Sequence, residues 1–216
     1  MNSILVVPIK KSLVNSMEWL HSKVRNHPFG IKEYVYRNQF NDKNISDILN
    51  HLEKKYYSVG KVDPINFGLQ TPREINLFSD DKFKKLSDTF LKSVRKYVNY
   101  QKLIDNLNLK KYNINAWCYS NWKSSTREES GVWHVHNAYH SDAISGIFYL
   151  KLPKTSGGET LFHIAGNEFE LPSKELSWFI FPSCYIHAPG KVSSPEKRYV
   201  ISCDIWFDKM LTKTRY

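Results

Sequence analysis

The first half of the chain carries apolar residues at helical spacing. The pattern is longest over residues 79–107 and clear over 42–57, and both stretches are predicted as helices. A shorter amphipathic pattern over 15–25 predicts a third helix, and residues 3–9 have the composition of a short strand. Glycine and proline residues spread through 59–73 predict a loop. No residue of this half has the setting of a catalytic group.

From Tyr112 onward the apolar period changes to two, which is the spacing of a strand with one buried face. Strands are predicted over residues 112–119, 132–136, 144–152, 159–164, 168–171, 176–181 and 198–207. Because no helical pattern separates these strands, the sequence predicts an antiparallel sandwich or barrel, and hence an α+β protein. We expect a single domain over 1–216, with a mostly helical supporting region at 1–109 and a β core at 110–208.

The chain is basic, with a formal net charge of +10 over 216 residues and a sequence pI of about 9.4. A basic balance suits an anionic partner such as nucleic acid. The lysines, however, occur as scattered doublets, and the sequence contains no basic block. This dispersed pattern is typical of a solvated surface, so nucleic acid is not an expected partner.

The three cysteines are Cys118, Cys184 and Cys203, and their spacing matches neither a disulfide framework nor a C-x-x-C motif. The opening residues lack the basic segment and the long apolar run of a signal peptide. No apolar run approaches the ~20 residues that span a bilayer. These features predict a soluble protein of a reducing compartment, which we expect to be the cytoplasm, without membrane association.

Three histidines stand at positions that suit a metal site. His134 and His136 are two residues apart on a predicted strand, so both imidazoles lie on one face. His187 follows the apolar run that ends at Pro182 and is predicted at a strand end. Imidazole binds iron, zinc or copper, and the cysteines are not spaced for a closed structural zinc site. The pattern favours an open site with three protein ligands over an ordinary pair of strand histidines.

Arg198 opens an otherwise apolar strand, where an unpaired charge is costly. The planar guanidinium binds a carboxylate through two parallel hydrogen bonds. Ser202 lies on the same face by the period of two and can donate a further hydrogen bond. The residues alone leave two partners open for Arg198, an internal aspartate or glutamate and the carboxylate of a bound ligand.

These residues belong to a series of short motifs. In chain order the motifs are H-V-H, S-G-I-F-Y-L, G-G-E-T-L-F, F-P-S-C-Y-I-H and R-Y-V-I-S. The series resembles the 2-oxoglutarate and Fe(II)-dependent dioxygenases, and within them the prolyl-4-hydroxylase-like oxygenases of bacteria and phages. The resemblance covers residues 112–207. It implies a double-stranded β-helix, or jelly roll, as the catalytic core, flanked by the N-terminal helices, with iron bound at one mouth.

The resemblance also implies roles for individual residues. His134 and His187 correspond to iron ligands, and Arg198 to the arginine that binds the far carboxylate of 2-oxoglutarate. Tyr149 matches a tyrosine that assists this arginine, and Tyr119 matches a position that lines the same pocket. The implied cofactors are Fe(II), 2-oxoglutarate as cosubstrate, and O2.

The position two residues after His134 departs from the superfamily pattern. That pattern is H-x-D or H-x-E, in which two histidines and one carboxylate hold the iron, whereas this chain has His136. We take His136 as the third ligand, with Asp142 in the following loop as the alternative carboxylate and His140 as a weaker choice. The remaining alternative is a site that binds metal poorly and is inactive.

The resemblance implies an enzyme that couples oxidative decarboxylation of 2-oxoglutarate, to succinate and CO2, to hydroxylation of an unactivated C–H bond. The substrate is then a prolyl residue, another protein side chain or a small molecule. Two hypotheses compete with this one. The first is a three-histidine dioxygenase of the cupin kind that needs no 2-oxoglutarate, and Arg198 argues against it. The second is a catalytically silent jelly-roll module that binds an anionic partner, which the dispersed lysines do not favour.

Overall fold

The structure, a computed structural model, describes residues 30–57, 62–63, 68–72, 74–101, 112–123, 133–136, 143–154, 157–172 and 174–207. The helices are α1 (Asp42–His51), which continues into the π-helical turn Leu52–Tyr57, and α2 (Lys84–Gln101). The strands are β1 (Lys32–Val35), β2 (Val62–Asp63), β3 (Gly68–Gln70), β4 (Tyr112–Asn121), β5 (Ile144–Lys151), β6 (Thr160–Ile164), β7 (Asn167–Leu171), β8 (Ser177–Pro182), β9 (Ile186–Pro189) and β10 (Arg198–Phe207).

The strands form a large and a small antiparallel sheet. The order of the large sheet is β1-β8-β5-β10-β4-β3-β2, and the order of the small sheet is β7-β6-β9. β10 lies inside the large sheet and pairs with β4 on one side and β5 on the other. Because side chains alternate along a strand, the even-numbered residues of β10 face the small sheet and the odd-numbered ones face the helices. This alternation decides which residues of β10 reach the site.

The helices cover the other face of the large sheet. The apolar stripe of α2 lies on β8, where Phe90 packs against Trp178 with ring centroids 4.9 Å apart. The indole Nε1 of Trp178 donates to Thr89 Oγ1 at 3.0 Å, so this fully buried ring leaves no unsatisfied donor. Burial of a large apolar side chain contributes about 1.5–3 kcal/mol. The helical layer therefore holds the large sheet from one side and leaves its other face for the site.

A second apolar core lies between the two sheets. Its buried members are Ile31, Ile147, Tyr149, Phe162, Ile164, Leu171, Phe179, Phe181 and Val200. Ile147 and Val200 also line a cavity between the sheets. The packing that joins the sheets is thus continuous with the wall of the cavity. In the part of the chain that the structure describes, none of the helices is both long and apolar enough to cross a membrane.

The helix predicted over 42–57 is confirmed. The helix predicted over 79–107 is confirmed over Lys84–Gln101, after two 3-10 turns, and residues 102–107 lie outside the described residues. The loop predicted over 59–73 was wrong in part, because β2 and β3 lie within it and extend the large sheet beside β4. β1, which was not predicted, pairs with β8. These strands are too short to show a period of two. The strand predicted over 3–9 and the helix predicted over 15–25 lie outside the described residues.

Two differences concern the histidine segments. The strand predicted over 132–136 was wrong, because His134 forms only an isolated bridge and the neighbouring described residues are irregular. His187 lies inside β9, which was not predicted, and not at the end of the preceding strand. β9 was missed because it is short and ends at Pro189, and a proline in a sequence pattern argues against a strand.

Candidate metal centre

A cavity of about 410 Å³ lies between the two sheets. Its lining residues are Gln70, Asn115, Trp117, Tyr119, His134, Val135, His136, Ile147, Thr160, His187, Pro189, Arg198, Val200, Ser202 and Asp204. Arg198 and Asp204 lie on the same face of β10 and are separated along it by about 20 Å, at the usual rise of ~3.3 Å per residue. Polar side chains gather around each of these two residues and form two separate groups.

Three histidines meet beside Asp204, and this group is called the histidine end. A ring nitrogen of each of His134, His136 and His187 lies within 4.8 Å of the other two. The His134 N–H donates to the His187 carbonyl at 2.9 Å, and the His187 N–H donates to the His134 carbonyl at 3.0 Å. This bridge places the two residues directly opposite each other, with both side chains on one face. The ring of His136 stacks on that of His134 with a centroid distance of 5.3 Å.

His187 is held as the tautomer that leaves Nε2 free to bind a metal. Its Nδ1 lies 2.9 Å from the carbonyl oxygen of Tyr185, which can only accept, so Nδ1 carries the proton and Nε2 presents a lone pair. Burial holds the pKa of His187 well below its usual range, and the nearby His136 and His134 lower it further. The ring is therefore neutral at pH 7, which is the form that ligates a metal.

His136 is oriented by Asp204. Its Nδ1 lies 3.1 Å from Asp204 Oδ1, and because a carboxylate accepts, Nδ1 carries the proton here too. The hydroxyl of Ser145 donates to the same Oδ1 at 2.6 Å and contacts Ser183 Oγ at 2.8 Å. A carboxylate that accepts from the outer nitrogen of a histidine ligand is a common feature of metal sites.

The facing nitrogens fit a single metal ion. Nε2 of His136 and Nε2 of His187 are 3.0 Å apart. Two ring nitrogens that each bind one ion at about 2.1 Å, at a right angle, lie about 3.0 Å apart. Two lone pairs repel each other at this distance unless a cation or a proton lies between them. With His134 the cluster offers three imidazole nitrogen donors, a set that suits iron, zinc or copper.

The group around Arg198 is called the arginine end. The guanidinium is buried, with only 2% of the residue exposed, and its Nε donates to the Gly158 carbonyl at 2.5 Å. Its Nη2 lies 3.5 Å from Thr160 Oγ1, and its carbon lies 5.3 Å from the centroid of the Tyr149 ring. Among the described residues no aspartate or glutamate pairs with Arg198. The internal carboxylate that the sequence left open is not found there.

The remaining predicted residues lie between and around the two ends. The hydroxyl groups of Tyr149 and Thr160 are 2.5 Å apart, so Tyr149 is fixed beneath the guanidinium. Tyr119 and Ser202 line the cavity wall that joins the two ends. Asp142 and His140, the alternative ligands, lie outside the described residues. The structure thus brings the other predicted site residues to one cavity, except Tyr149, which lies against Arg198 in the core between the sheets. Their roles in binding metal and cosubstrate stay predictions.

Several residues of the site were missed from the sequence. Asp204 shares the period of two with Arg198 and Ser202, so the strand pattern contained a signal for it. Gly158 was noted only in a motif, yet a Cβ there would lie 2.7 Å from Arg198 Cδ. Gln70, in the half judged to lack site residues, lines the cavity because β3 joins the large sheet. No sequence pattern indicated that pairing.

No family model matches the sequence, and no curated protein matches it either. Solved structures do match the fold. A prolyl-4-hydroxylase from Pseudomonas putida is 9% identical, with a TM-score of 0.56 over 82% of this chain and 91% of that one. HygX from Streptomyces hygroscopicus, solved with nickel and 2-oxoglutarate bound, is 10% identical, with a TM-score of 0.59 over 94% and 89%.

A third match is an oxidoreductase of the 2OG-Fe(II) oxygenase family from Burkholderia pseudomallei. It is 10% identical, with a TM-score of 0.53 over 92% of each chain. The helices and the two antiparallel sheets of the present chain give it an α+β architecture. The chain described here therefore has the double-stranded β-helix fold of the 2-oxoglutarate and Fe(II)-dependent oxygenases, as its motifs predicted.

Proposed function

We propose that the protein is an Fe(II)- and 2-oxoglutarate-dependent dioxygenase that hydroxylates an unactivated C–H bond. One observation supports this above the others: a single cavity has three facing imidazoles at one end and a buried guanidinium at the other. Among the described residues, that guanidinium has no carboxylate partner. Groups of this kind are costly to bury and are retained where they bind something.

In this proposal His134, His136 and His187 hold the iron. Fe(II) with 2-oxoglutarate and O2 supplies an oxidative decarboxylation that gives succinate, CO2 and an oxidant strong enough to attack a C–H bond. The protein contributes ligand orientation. The Nδ1–H of His187 donates a hydrogen bond to the Tyr185 carbonyl, and the Nδ1–H of His136 donates one to the Asp204 carboxylate, so the Nε2 lone pairs of both rings point into the cavity.

Arg198 is proposed to bind the far carboxylate of 2-oxoglutarate. Its Nε is already committed to Gly158, which fixes the plane of the guanidinium before the ligand arrives. Tyr149 lies against the guanidinium and is itself fixed by Thr160, so the fork cannot turn freely. The hydroxyl of Ser202 lines the path between Arg198 and the histidine end and is placed to add a hydrogen bond.

The proposed substrate is a prolyl residue or another protein side chain. The support is the fold that the chain shares with the Pseudomonas putida prolyl-4-hydroxylase. Trp117 lies 5.0 Å from the His136 ring, centroid to centroid, and Asn115 lines the same part of the cavity. Both side chains are half-buried, so they form the wall that a substrate meets beside the metal.

A second candidate function is a three-histidine dioxygenase that does not use 2-oxoglutarate. The ligand set favours it, because among the residues that the structure describes the cluster consists of three histidines and no carboxylate. The buried Arg198 favours the 2-oxoglutarate enzyme instead. The two functions therefore differ in whether the arginine end binds a dicarboxylate.

An anaerobic titration of the metal-free protein with Fe(II), and then with 2-oxoglutarate, distinguishes them. The expected result is the weak visible charge-transfer band of the iron–cosubstrate chelate, followed in air by succinate formation. In Arg198→Ala the affinity for 2-oxoglutarate should fall about 10- to 100-fold, because a hydrogen bond to a charged group contributes about 1.5–3 kcal/mol. The affinity for iron should change much less.

Lys197→Met is the matched control. Lys197 precedes Arg198 in sequence, but its ammonium donates to Glu53 Oε1 at 2.7 Å, away from the cavity lining. Its substitution should leave the band unchanged. Iron binding without a band would favour the three-histidine dioxygenase, and a protein that binds no iron would favour the silent binding module. If Arg198→Ala bound 2-oxoglutarate as tightly as the wild type, the assignment of the arginine end would be contradicted.

A further inference from the structure

Asp204 is a buried carboxylate at the histidine end, with 6% of the residue exposed. Its Oδ1 accepts from the Ser145 hydroxyl and from His136 Nδ1. Within the described ranges, the ion-pair partner found for Asp204 is His136, and no lysine or arginine lies within ion-pair distance. A negative charge in such a place is expensive unless a positive charge offsets it.

His136 alone does not offset this charge while its ring is neutral. As a metal ligand it must be neutral, with Nδ1 protonated and Nε2 free. A cation bound at Nε2 polarises the Nδ1–H bond and places a positive charge on the far side of the ring from Asp204. The geometry therefore couples the carboxylate to the metal position through one imidazole.

We propose that Asp204 supplies, through His136, the negative charge that a carboxylate ligand supplies in a two-histidine, one-carboxylate iron site. Asp204 is a positioning residue, since it touches the ligand His136 and not the metal. The proposal deepens the proposed function and rests on its metal-binding part. It explains how a site with three neutral ligands can hold a divalent ion in a cavity closed by two sheets.

The formal charges of the cavity agree with this role. Among the described lining residues, the charged side chains are Asp204 and Arg198. A divalent ion and a dianionic cosubstrate cancel each other, and Asp204 then balances Arg198. Without Asp204, the loaded cavity would carry an uncompensated positive charge in a region of low dielectric constant. A site with two histidines and one carboxylate ligand in place of His136 has the same net charge.

The test measures metal binding alone, with Zn(II) as the probe and no 2-oxoglutarate present. Asp204→Asn keeps the shape of the side chain and removes its charge. The expected result is a 10- to 100-fold loss of Zn(II) affinity, the usual cost of removing the partner of a histidine ligand, measured by competition with a chromophoric chelator. Cys203→Ala is the matched control, because Cys203 is the next residue of β10 and faces the helices. It should change the affinity less than about twofold, the ordinary range for a site distant from the ion.

Two readouts separate a role through His136 from a general structural role. In a His136→Ala background, Asp204→Asn should cause no further loss of Zn(II) affinity, because the ring that connects the two is gone. In the Zn(II)-loaded wild type, NMR of the ring nitrogens should show His136 protonated at Nδ1, with a downfield proton that moves upfield in Asp204→Asn. The NMR result decides the question if the His136→Ala protein binds Zn(II) too weakly to measure.

Unchanged Zn(II) affinity in Asp204→Asn would overturn the proposal. So would an additive loss in the His136→Ala background, or a His136 ring protonated at Nε2. These outcomes are independent of the arginine end. A protein that meets all three expectations but forms no chelate band with 2-oxoglutarate would retain the role of Asp204 and lose the proposed oxygenase activity.

Discussion

The two ends of the cavity are built in different ways. The arginine end depends on one continuous strand, since β10 is hydrogen-bonded to β4 and β5 on its two sides and begins at the buried Arg198. At the histidine end, His134 lies outside the named strands and pairs with His187 through an isolated bridge. His134 and His136 lie in a segment without regular secondary structure.

This difference indicates how far each end is already in its binding arrangement before the carboxylate or the metal arrives. The guanidinium is already fixed by Gly158 and Thr160, so little ordering remains when a carboxylate arrives. Two of the imidazoles, those of His136 and His187, face each other with lone pairs that repel unless a cation or a proton lies between them. We therefore expect metal binding to stabilise the histidine end strongly, and the arginine end to be nearly the same with and without its ligand.

Removal of one imidazole should have the largest effect. In His187→Ala, two of the three clustered nitrogens remain. The affinity for Fe(II) or Zn(II) should fall by on the order of 100-fold or more, because loss of a ligand costs more than loss of a residue that only hydrogen-bonds to a ligand. The fold should persist, since the ring lies at the edge of the core between the sheets. Metal stoichiometry and the thermal unfolding midpoint are the measurements.

His163→Ala is the control for that substitution. His163 lies on β6, directly opposite Ile186, the neighbour of His187, but its side chain is exposed. Its removal should leave metal stoichiometry and affinity as in the wild type. Full metal loading of His187→Ala would contradict the assignment of the histidine end.

A substitution at Gly158 should damage the arginine end while sparing the histidine end. The backbone there has φ of +91°, and a Cβ would lie 2.7 Å from Arg198 Cδ, so Gly158→Ala should push the guanidinium out of place. The expected loss of 2-oxoglutarate affinity is about tenfold, equal to the loss of one hydrogen bond of about 1.4 kcal/mol. Metal affinity should be unchanged.

Gly166→Ala separates the backbone effect from the contact with Arg198. Gly166 also has a positive φ, +80°, but nothing lies within 4 Å of its added Cβ. Both variants should lose about 1 kcal/mol of stability from the strained backbone. Only Gly158→Ala should lose cosubstrate affinity, and equal 2-oxoglutarate affinity in the two variants would remove Gly158 from the arginine end.

Much of this contrast was accessible from the sequence. Arg198 and Ser202 stand in a motif whose period of two places both side chains on one strand face, and the run of short strands predicted an antiparallel sandwich or barrel. The double-stranded β-helix and the roles of the histidines were implied by the resemblance of the motif series to the 2-oxoglutarate and Fe(II)-dependent dioxygenases. The support behind the histidines was not accessible in the same way. The Tyr185 carbonyl is a backbone atom, and Asp204 reaches His136 only because β10 and residues 133–136 meet in three dimensions. β1, β2 and β3 were missed because strands of two to four residues have no measurable period.

The two ends of the metal-free protein should also respond differently to acidification. The pKa of His187 is depressed by burial and by the two neighbouring histidines, so the unfolded chain binds a proton more readily than the folded one below pH ~6.5. Stability should then fall as the pH drops below ~6.5, by at most about 1.4 kcal/mol per pH unit for this group. Denaturant unfolding between pH 7.5 and 5 measures the slope.

The histidine substitutions assign this slope. His187→Gln should flatten it, because the group that gains a proton on unfolding is gone. His163→Gln, at an exposed position, should keep the wild-type slope. Addition of Zn(II) should raise stability at pH 7.5 more than at pH 5, since the proton and the metal compete for the same nitrogens. Equal slopes in wild type and His187→Gln would show that acid stability is set elsewhere.

The smallest effect is expected from the hydroxyl of Tyr149. Tyr149→Phe removes the hydrogen bond to Thr160 Oγ1 but keeps the ring against Arg198, so the guanidinium loses only an indirect constraint. We expect a stability loss of about 0.5–1.5 kcal/mol.

Tyr36→Phe is the control, because the buried hydroxyl of Tyr36 also forms a hydrogen bond with one side-chain hydroxyl, that of Ser93, in the helical core. The two variants should lose similar stability, but only Tyr149→Phe should weaken 2-oxoglutarate binding, by a few-fold, consistent with a positioning contact. If both variants bind 2-oxoglutarate as tightly as each other, the contacts of Gly158 and Thr160 hold Arg198 in place without the hydroxyl of Tyr149.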